Sequence, residues 1–262
     1  MNVIFHVREQ AISEKLKILL IGDNGVDQYQ YGTVSRISPE APVPIINYTH
    51  TVTKPGMAAN VKENLVKLGC DVNFIHGIRT CTKTRIIDTK SKQHLVRIDQ
   101  DELSKPVKLD FSTINDYDAV VISDYNKGSV EYETIESVRK NYIGPIFIDT
   151  KKTDLARFEG CFVKINEKEY NDAKTFPTEL IVTLGRNGVR YKEHEISTPQ
   201  VEAFDVCGAG DSFLAALTFK YILTKDILKS IEFATKSASV TIQHVGVYSP
   251  TLMEIEREYG KT

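Results

Sequence analysis

The sequence lacks the features that mark metal-binding, secreted or membrane proteins. Its four cysteines show no C-x-x-C spacing, which argues against a zinc site and, without a secretory signal, favours reduced thiols. No apolar run approaches the roughly 20 residues of a membrane-spanning helix. The N-terminal stretch MNVIFHVREQAISEK has no signal-peptide apolar region. We therefore expect a cytoplasmic protein with no membrane partner.

An excess of charge of either sign is also missing. The chain has 33 Lys and Arg against 35 Asp and Glu, a formal net charge of −2. This balance argues against a nucleic-acid partner, although local basic clusters could still bind phosphate. Tryptophan is absent, but the 41% hydrophobic share is ordinary for a soluble protein. At 262 residues the chain is long enough for one sizeable core, so we expect a single domain over residues 1–262.

Short apolar runs alternate with helical segments along the chain. The run LKILLIGD (16–23) predicts a strand buried on both faces, and MAANVKENLVKLG (57–69) predicts an amphipathic helix that stops at Gly69. Five further strand-like runs follow, and three helical stretches close the chain (208–223, 225–244 and 251–259). This alternation is typical of an α/β fold with a mostly parallel central sheet flanked by helices.

Two segments break the alternation. Residues 29–54 contain Pro39, Pro42 and Pro44, too many prolines for a central strand, and residues 82–101 alternate polar and apolar residues like a hairpin. We expect these segments to form a small extra sheet outside the core. Such a sheet is either a lid over a site or a decorated edge.

A turn of small residues precedes the first of the C-terminal helices. In FDVCGAGDSF, Gly208, Ala209 and Gly210 stand before Asp211 at the predicted helix start. Helix N-termini expose unpaired N–H groups, and small residues leave those groups open to an anion. A carboxylate there would repel a phosphate unless it removes a proton from an attacking hydroxyl. The pattern favours a kinase that phosphorylates an alcohol, although ordinary helix capping uses the same residue types.

The stretch DVCGAGDSF resembles the second signature of the ribokinase-like (PfkB-type) carbohydrate kinases, in which the last Asp is the catalytic base. Other stretches resemble that family's landmarks in order: IGDNGVD (21–27), PGMAANVKENLVKLG (55–69), KINEKE (164–169) and VTLGRNGV (182–189). Members acting on D-glycero-β-D-manno-heptose 7-phosphate, in ADP-heptose synthesis, are similar in further stretches: YGTVSRISPEAPVPII, TKTRII, LVRIDQDE, ISDYNKG and IDTKKTDLARFEG. The resemblance covers about residues 16–255 and implies a ribokinase-like fold with a small β-sheet lid.

The resemblance also implies roles on the phosphate side. Asp211 would be the base on a sugar hydroxyl, and backbone N–H groups of residues 208–210 would hold the transferring phosphoryl group. Asn166 and Glu169 would hold Mg²⁺, mostly through water. The residues implied for binding ATP are Lys151, Asn166, Thr183, Gly185 and Gly188.

On the sugar side, carboxylates accept hydrogen bonds from hydroxyl groups, and an amide side chain both donates and accepts. The residues implied for substrate binding are Asp23, Asp27, Gly56 and Asn60, with the lid cations Arg36, Lys83, Arg85 and Arg97. Clustered cations suit a substrate that already bears a phosphate. Each cation taken alone would be an ordinary solvated surface charge.

The chain departs from the family pattern at two places. The family's glycine pair is here Gly56-Met57, and a helix, a strand and their loops are nearly absent between residues 78 and 80, which would expose a sheet edge. Three functions stay open: a heptose-phosphate kinase, a kinase of the same fold for another sugar, sugar phosphate or nucleoside, and an inactive relative that binds a sugar or a partner protein. The oligomeric state is open too, a homodimer being one option, because lid sheets of related kinases sometimes pair.

Overall fold

A computed structural model describes residues 15–259 of the chain. The strands are β1 (Lys17–Ile37), β2 (Pro44–Met57), β3 (Asp71–Asp88), β4 (His94–Gln100), β5 (Ala119–Asp124), β6 (Ile146–Thr150), β7 (Phe162–Asn166), β8 (Leu180–Thr183), β9 (Val189–Tyr191) and β10 (His194–Ile196). The helices are α1 (Ala58–Lys67), α2 (Tyr132–Asn141), α3 (Glu167–Asp172), α4 (Ala209–Thr224), α5 (Ile227–Ile242) and α6 (Leu252–Tyr259). Single 3₁₀ turns lie at Ile114–Asp116, Leu155–Phe158 and Gly185–Asn187.

The strands form one sheet in the order β10-β9-β8-β7-β6-β5-β1-β3-β4, with β2 on the outer half of β1. Strands β8, β7, β6, β5, β1 and β3 run parallel, and β9 and β10 are antiparallel additions. All residues of β5 and β6 are buried, because helices cover both faces of this part. One face packs against α1, α4, α5 and α6, and the other against α2 and the turn at Leu155–Phe158. The predicted fold class, a mostly parallel sheet flanked by helices, is confirmed.

Strand β1 is much longer than the run that predicts it. Its first half lies in the central sheet, and its second half leaves the core to pair antiparallel with β2. Strand β3 does the same, and its outer half pairs with β4. We call the four-stranded outer part, residues 24–37, 44–57, 80–88 and 94–100, the side sheet. The side sheet contains strands from both segments that break the alternation, residues 29–54 and 82–101. On β1 it begins at residue 24, before the first of these segments.

The missing family segment falls within β3. Parallel pairing with β1 breaks between Gly22 and Asn24 and resumes with Thr80 opposite Asn24, so residues 77–79 bulge opposite Asp23. In the part of the chain that the structure describes, residues 71–76 pair only with β1 and form an edge of the central sheet. Ile78 in the bulge is 86% exposed. The shortened connection is thus accommodated by one strand that runs directly from the core into the side sheet.

Helix boundaries follow local chemistry. Helix α1 ends where predicted, because Gly69 adopts φ +92°, a conformation that disfavours other residues. Helix α4 is apolar around most of its surface, since it lies between the sheet and α5. Among residues 15–259, no helix is both long and apolar enough to cross a membrane. All four cysteines are free thiols.

Candidate active site

Asp211 lies in the first turn of α4 and is 6% exposed. The Asn60 side-chain amide donates to its Oδ2 at 2.8 Å, and the Tyr125 hydroxyl donates to its Oδ1 at 2.8 Å. Burial raises the pKa of Asp211 to about 6, although these two hydrogen bonds act in the opposite direction. The carboxyl group therefore titrates near neutral pH, as a general base requires.

The glycine turn before Asp211 is shaped by close contacts. Gly208 caps α4 with φ +80°, and a Cβ atom there would lie 2.9 Å from Asn60 Nδ2. A Cβ atom at Gly210 would lie 2.9 Å from Lys164 Nζ. The Ala209 N–H already donates to the Val206 carbonyl at 3.3 Å. Among the described residues, the second and third amides of α4, at Gly210 and Asp211, donate to no backbone carbonyl. This differs from the expected donor set, in which Ala209 was included.

Two charged residues that the sequence analysis missed lie beside this turn. Lys164 in the middle of β7 and Asp149 near the end of β6 lie opposite each other, are both buried and form an ion pair of 2.6 Å. Each is a charged residue within a mostly apolar strand, and the carboxyl ends of such strands are where ligands bind in open α/β sheets. That position is the signal that could have identified them. Lys164 brings a cation to the glycine turn.

A cavity of about 710 Å³ opens next to the turn. Four of the residues expected to bind ATP line it, together with Lys164, Ala209 and Gly210: Asn166, Thr183, Gly185 and Gly188. Small apolar side chains, including Val201, Ala203 and Ala238, form another part of its wall. Lys151, the fifth expected residue, lies outside this lining and forms an ion pair with Glu169. The cavity is large enough for a nucleotide-sized molecule.

The pair expected to hold Mg²⁺ forms a helix cap. Asn166 Oδ1 accepts from the Glu169 N–H at 2.9 Å, and Glu169 Oε2 accepts from the Asn166 N–H at 2.8 Å. The other Glu169 oxygen binds Lys151. Among the described residues no cluster of three His, Cys, Asp or Glu side chains could hold a metal ion. An amide oxygen and one carboxylate fit a magnesium ion that keeps most of its water and phosphate ligands, and they do not form a protein cage.

The side sheet turns one charged face toward the glycine turn. Pairing across its four strands aligns Lys54, Asp27, Lys83 and Asp99 in one row, and Val52, Tyr29, Arg85 and Arg97 in the next. Arg85 forms a buried ion pair with Asp27, and its guanidinium lies 3.7 Å from Cys207 Sγ. Burial and the neighbouring Asp205 raise the pKa of the Cys207 thiol to about 11. Arg85 therefore connects the side sheet to the chain entering α4.

A second connection between the side sheet and the core lies nearby. Lys54 Nζ donates to the Val247 carbonyl at 2.7 Å, and the Val247 N–H donates to the Tyr29 hydroxyl at 3.2 Å. Asp205 accepts from the Cys207 and Gly246 N–H groups at 2.9 and 3.0 Å. Side sheet, glycine turn and the loop after α5 thus form one connected wall.

Asp23 does not have the role expected of it. It is 1% exposed, and its carboxylate accepts three backbone N–H groups, from Tyr125, Lys127 and Ser129, at 2.8 to 3.1 Å. These bonds occupy both oxygens, so the side chain fixes the loop after β5 and is not presented to a sugar. Asp27, four residues later, lies on the charged face of the side sheet.

The remaining expected substrate residues divide into two groups. Asn60 contacts Asp211 directly, and a Cβ atom at Gly56 would lie 2.5 Å from Asp27 Oδ2, so both belong to the site. Lys83 Nζ lies 5.7 Å from the centre of the Tyr125 ring. Two of the expected cations do not converge on the site. Arg36 is exposed about nine residues along β1 from Asp27, roughly 30 Å away, and the exposed Arg97 binds Asp99 through both carboxylate oxygens.

Met57, which replaces the second glycine of the family pair, adopts φ +52° and ψ −135°. Residues with a Cβ atom rarely adopt this conformation. The side chain is 5% exposed and covers Gly25 on the neighbouring strand. The junction between β2 and α1 therefore retains the glycine-type backbone geometry without the glycine.

Comparison with known sequences gives consistent matches. Residues 163–254 match the family model described as pfkB family carbohydrate kinase. The protein named Bifunctional protein HldE of a Nitratiruptor species is 31% identical over 307 aligned positions, covering 95% of this chain and 66% of that protein. The HldE of Hydrogenovibrio crunogenus is 31% identical, covering 93% of this chain and 63% of that protein. The chain spans about two thirds of the length of these relatives.

Solved structures with the same fold include ribokinases and a phosphofructokinase at low sequence identity. Ribokinase from Thermotoga maritima superposes with a TM-score of 0.70 at 17% identity, covering 94% of this chain and 100% of that one. Phosphofructokinase-2 from Escherichia coli gives a TM-score of 0.67 at 16% identity, covering 95% and 99%. These two likenesses establish the ribokinase-like fold.

Proposed function

The chain belongs to the pfkB family of carbohydrate kinases, and on that basis we propose that it transfers the γ-phosphoryl group of ATP to a sugar hydroxyl. The observation that carries the proposal is the buried carboxylate of Asp211, with its pKa raised to about 6, beside the open amides of a helix start. Above pH 6 this carboxylate is ionised and accepts the proton of the attacking hydroxyl, a step worth roughly 10²–10⁴ in rate.

Positive charge on the phosphate side comes from this chain's own residues. The Lys164 ammonium group and the amides of Gly210 and Asp211 face the path between the cavity and Asp211, where they neutralise charge on the transferring phosphoryl group. ATP occupies the 710 Å³ cavity, with its phosphates toward the glycine turn. Asn166 and Glu169 are the residues that would hold Mg²⁺, which supplies further neutralisation of the phosphates.

The sugar lies between Asp211 and the charged face of the side sheet, which acts as a lid. Asp27 presents a carboxylate from this face, and Lys83 presents an ammonium group in the row next to that of Arg97. A lid with unbalanced cations near its inner edge favours an acceptor that already bears a phosphate. Closure over the site excludes water, which would otherwise compete with the sugar for the phosphoryl group.

The acceptor that we propose is the anomeric hydroxyl of D-glycero-β-D-manno-heptose 7-phosphate, and the product is the 1,7-bisphosphate. Two stretches support this choice: SRISPEAPVP (35–44), which covers the turn between β1 and β2, and ISDYNKG (122–128), which carries Tyr125. Relatives named Bifunctional protein HldE, 29–31% identical over more than nine tenths of this chain, point the same way.

Substrate screening tests the proposal. The protein is incubated with ATP, Mg²⁺ and a panel of sugars, sugar phosphates and nucleosides, and products are identified by mass spectrometry. We expect a bisphosphate from heptose 7-phosphate, formed at least about a hundredfold more slowly by the Asp211→Asn variant. Turnover of only another acceptor would reject the heptose assignment and keep the kinase. Ligand-dependent stabilisation without any product would support a sugar-binding protein and reject the kinase.

A further inference from the structure

Tyr125 is the residue of the site to which neither the sequence nor the family resemblance assigns a role. It follows β5, and its hydroxyl donates to Asp211 Oδ1 at 2.8 Å. Its backbone N–H is held by Asp23 at 2.8 Å, and the next residue, Asn126, has φ +57°. The loop backbone is therefore fixed in a conformation that directs the phenol at the carboxylate.

Two cations lie near the ring of Tyr125. Lys83 Nζ, from the side sheet, lies 5.7 Å from the ring centre, and Lys151 Nζ, from the end of β6, lies 5.3 Å from it. Both distances are within the range of cation–π attraction. The phenol thus lies between Asp211 and the charged face of the side sheet, in the space that an acceptor must enter to reach Asp211.

The two donors to Asp211 are held differently. Asn60 is 1% exposed, and the Asn64 side chain donates to its backbone carbonyl at 2.8 Å and to its Oδ1 at 3.2 Å. Tyr125 is partly exposed, and among the described residues its hydroxyl hydrogen-bonds to Asp211 alone. Because Asn60 is fixed by its neighbours, the oxygen of Asp211 that is open to exchange is Oδ1, on the side of the phenol.

We propose that Tyr125 is a positioning residue whose hydroxyl holds Oδ1 of Asp211 in place of the acceptor hydroxyl and gives up that position when the acceptor binds. The inference rests on the proposed function, because it requires an acceptor alcohol. The hydrogen bond keeps the buried carboxylate ionised and oriented until exchange occurs. The exchange leaves Asp211 with the same number of donors before and after binding, so neither oxygen of the buried carboxylate loses its partner.

Five groups on four parts of the fold face Asp211 and set its proton affinity. They are Asn60 on α1, Tyr125 after β5, Asp149 and Lys151 at the end of β6, and Lys164 on β7. Burial and Asp149 raise the pKa of Asp211, whereas Asn60, Tyr125 and Lys164 lower it. Removing the phenol oxygen removes one of the groups that lower it, so the carboxyl should protonate at higher pH.

Direct titration of Asp211 tests, without depending on turnover, whether the Tyr125 hydroxyl keeps the carboxylate ionised. In protein labelled with ¹³C at aspartate carboxyl carbons, the NMR signal missing from Asp211→Asn belongs to Asp211. We expect its midpoint to rise by roughly one pH unit in Tyr125→Phe, the size expected for one lost hydrogen bond. The matched control is Tyr142→Phe, a buried tyrosine that donates to the Tyr117 carbonyl at 3.0 Å, away from the site. An unchanged midpoint in Tyr125→Phe would overturn the proposal.

Kinetics test the exchange. In Tyr125→Phe the acceptor no longer displaces a hydrogen bond, so its KM at pH 8 should fall by roughly three- to tenfold, and the acid limb of kcat/KM should move to higher pH. A raised KM would mean that the phenol stays bound during turnover and would refute the exchange. If Tyr125→Phe fails to fold, Tyr125→Met serves the same comparison. If the titration midpoint of Asp211 shifts but the protein phosphorylates no acceptor, the proposed function is refuted, and the exchange is refuted with it. The effect of Tyr125 on the pKa of Asp211 would stand in that case.

Discussion

The backbone of Met57 offers a sharp test of strain at the junction between the side sheet and the core. At φ +52° and ψ −135°, this residue occupies a region where a Cβ atom costs about 1–3 kcal/mol. Its buried side chain covers Gly25, so replacing Met57 changes both packing and backbone strain. A single substitution would mix these two effects, and a pair of substitutions separates them.

Met57→Ala and Met57→Gly remove the same packing against Gly25, and only the second also removes the Cβ atom. Glycine is ordinarily less favourable than alanine by about 0.4–1 kcal/mol, because it adds freedom to the unfolded chain. Relief of about 1–3 kcal/mol of strain outweighs that cost. We therefore expect Met57→Gly to be more stable than Met57→Ala by about 1.3 kcal/mol at the middle of these ranges and about 2.6 kcal/mol at most, the reverse of the usual order.

Urea unfolding followed by circular dichroism measures the difference, provided that the m-values of the two variants agree. Ala58→Gly, one residue later, is the matched control. Ala58 is fully buried in the first turn of α1 and packs against Gly22, so that variant should lose stability relative to the unsubstituted protein. Equal stability of the two Met57 variants, or a more stable alanine variant, would show that the junction is not strained.

Three further outcomes follow from the site. Folding raises the pKa of Asp211 from 3.8 to about 6, so the stability that its protonated form contributes is lost as the pH rises through that window. Thermal unfolding should therefore show Asp211→Asn to be more stable than the parent protein at pH 8, and the difference should close near pH 4. The turnover of the same variant should fall by roughly 10²–10⁴. Lys164→Met leaves the buried Asp149 carboxylate without its partner and should lower the free energy of unfolding, measured in urea, by about 3–5 kcal/mol. Adding Asp149→Leu should recover most of that free energy, and a double variant as unstable as Lys164→Met would contradict the pairing. Asp23→Asn should lower the unfolding free energy by about 1–3 kcal/mol, because an amide cannot accept all three N–H groups; a change confined to the KM of the sugar would instead restore Asp23 to the sugar site.

Sequence patterns predict the fold well here because each pattern is local. The alternation of apolar runs and helical segments specifies a parallel sheet, and the prolines after residue 38 mark the turn that separates β1 from β2. The length of β1 was not predictable in the same way. Its outer half alternates buried and partly buried residues over 24–30, and only its pairing with β2 and β3 shows that the strand continues beyond the core.

The same distinction between local patterns and long-range pairing applies to the residues of the site. Asp211 and its glycines lie in one contiguous turn, so a short stretch of sequence is enough to find them. Lys164 and Asp149 come from different strands, and their proximity depends on the order of strands in the sheet. Asp23 and Asp27 are close in sequence, yet the sequence does not show that their roles differ. Both are acids near the same strand position, and only the loop after β5, which supplies three N–H groups, distinguishes a structural carboxylate from one on the charged face.

The shortened connection in β3 bears on whether the site can work. The groups around Asp211 come from α1, the loop after β5, β6, β7 and α4. The bulge at residues 77–79 makes none of the contacts to Asp211, although the Gly77 N–H donates to Ser129 Oγ at 3.2 Å in the loop after β5. The direct run of β3 still delivers Lys83 and Arg85 to the charged face. What the shortening changes is the edge at residues 71–76 and the exposed Ile78. The shortened connection therefore gives no reason to expect loss of phosphoryl transfer, and a buried carboxylate with a pKa raised to about 6 lowers stability at neutral pH, which a protein that only binds sugar has no reason to retain.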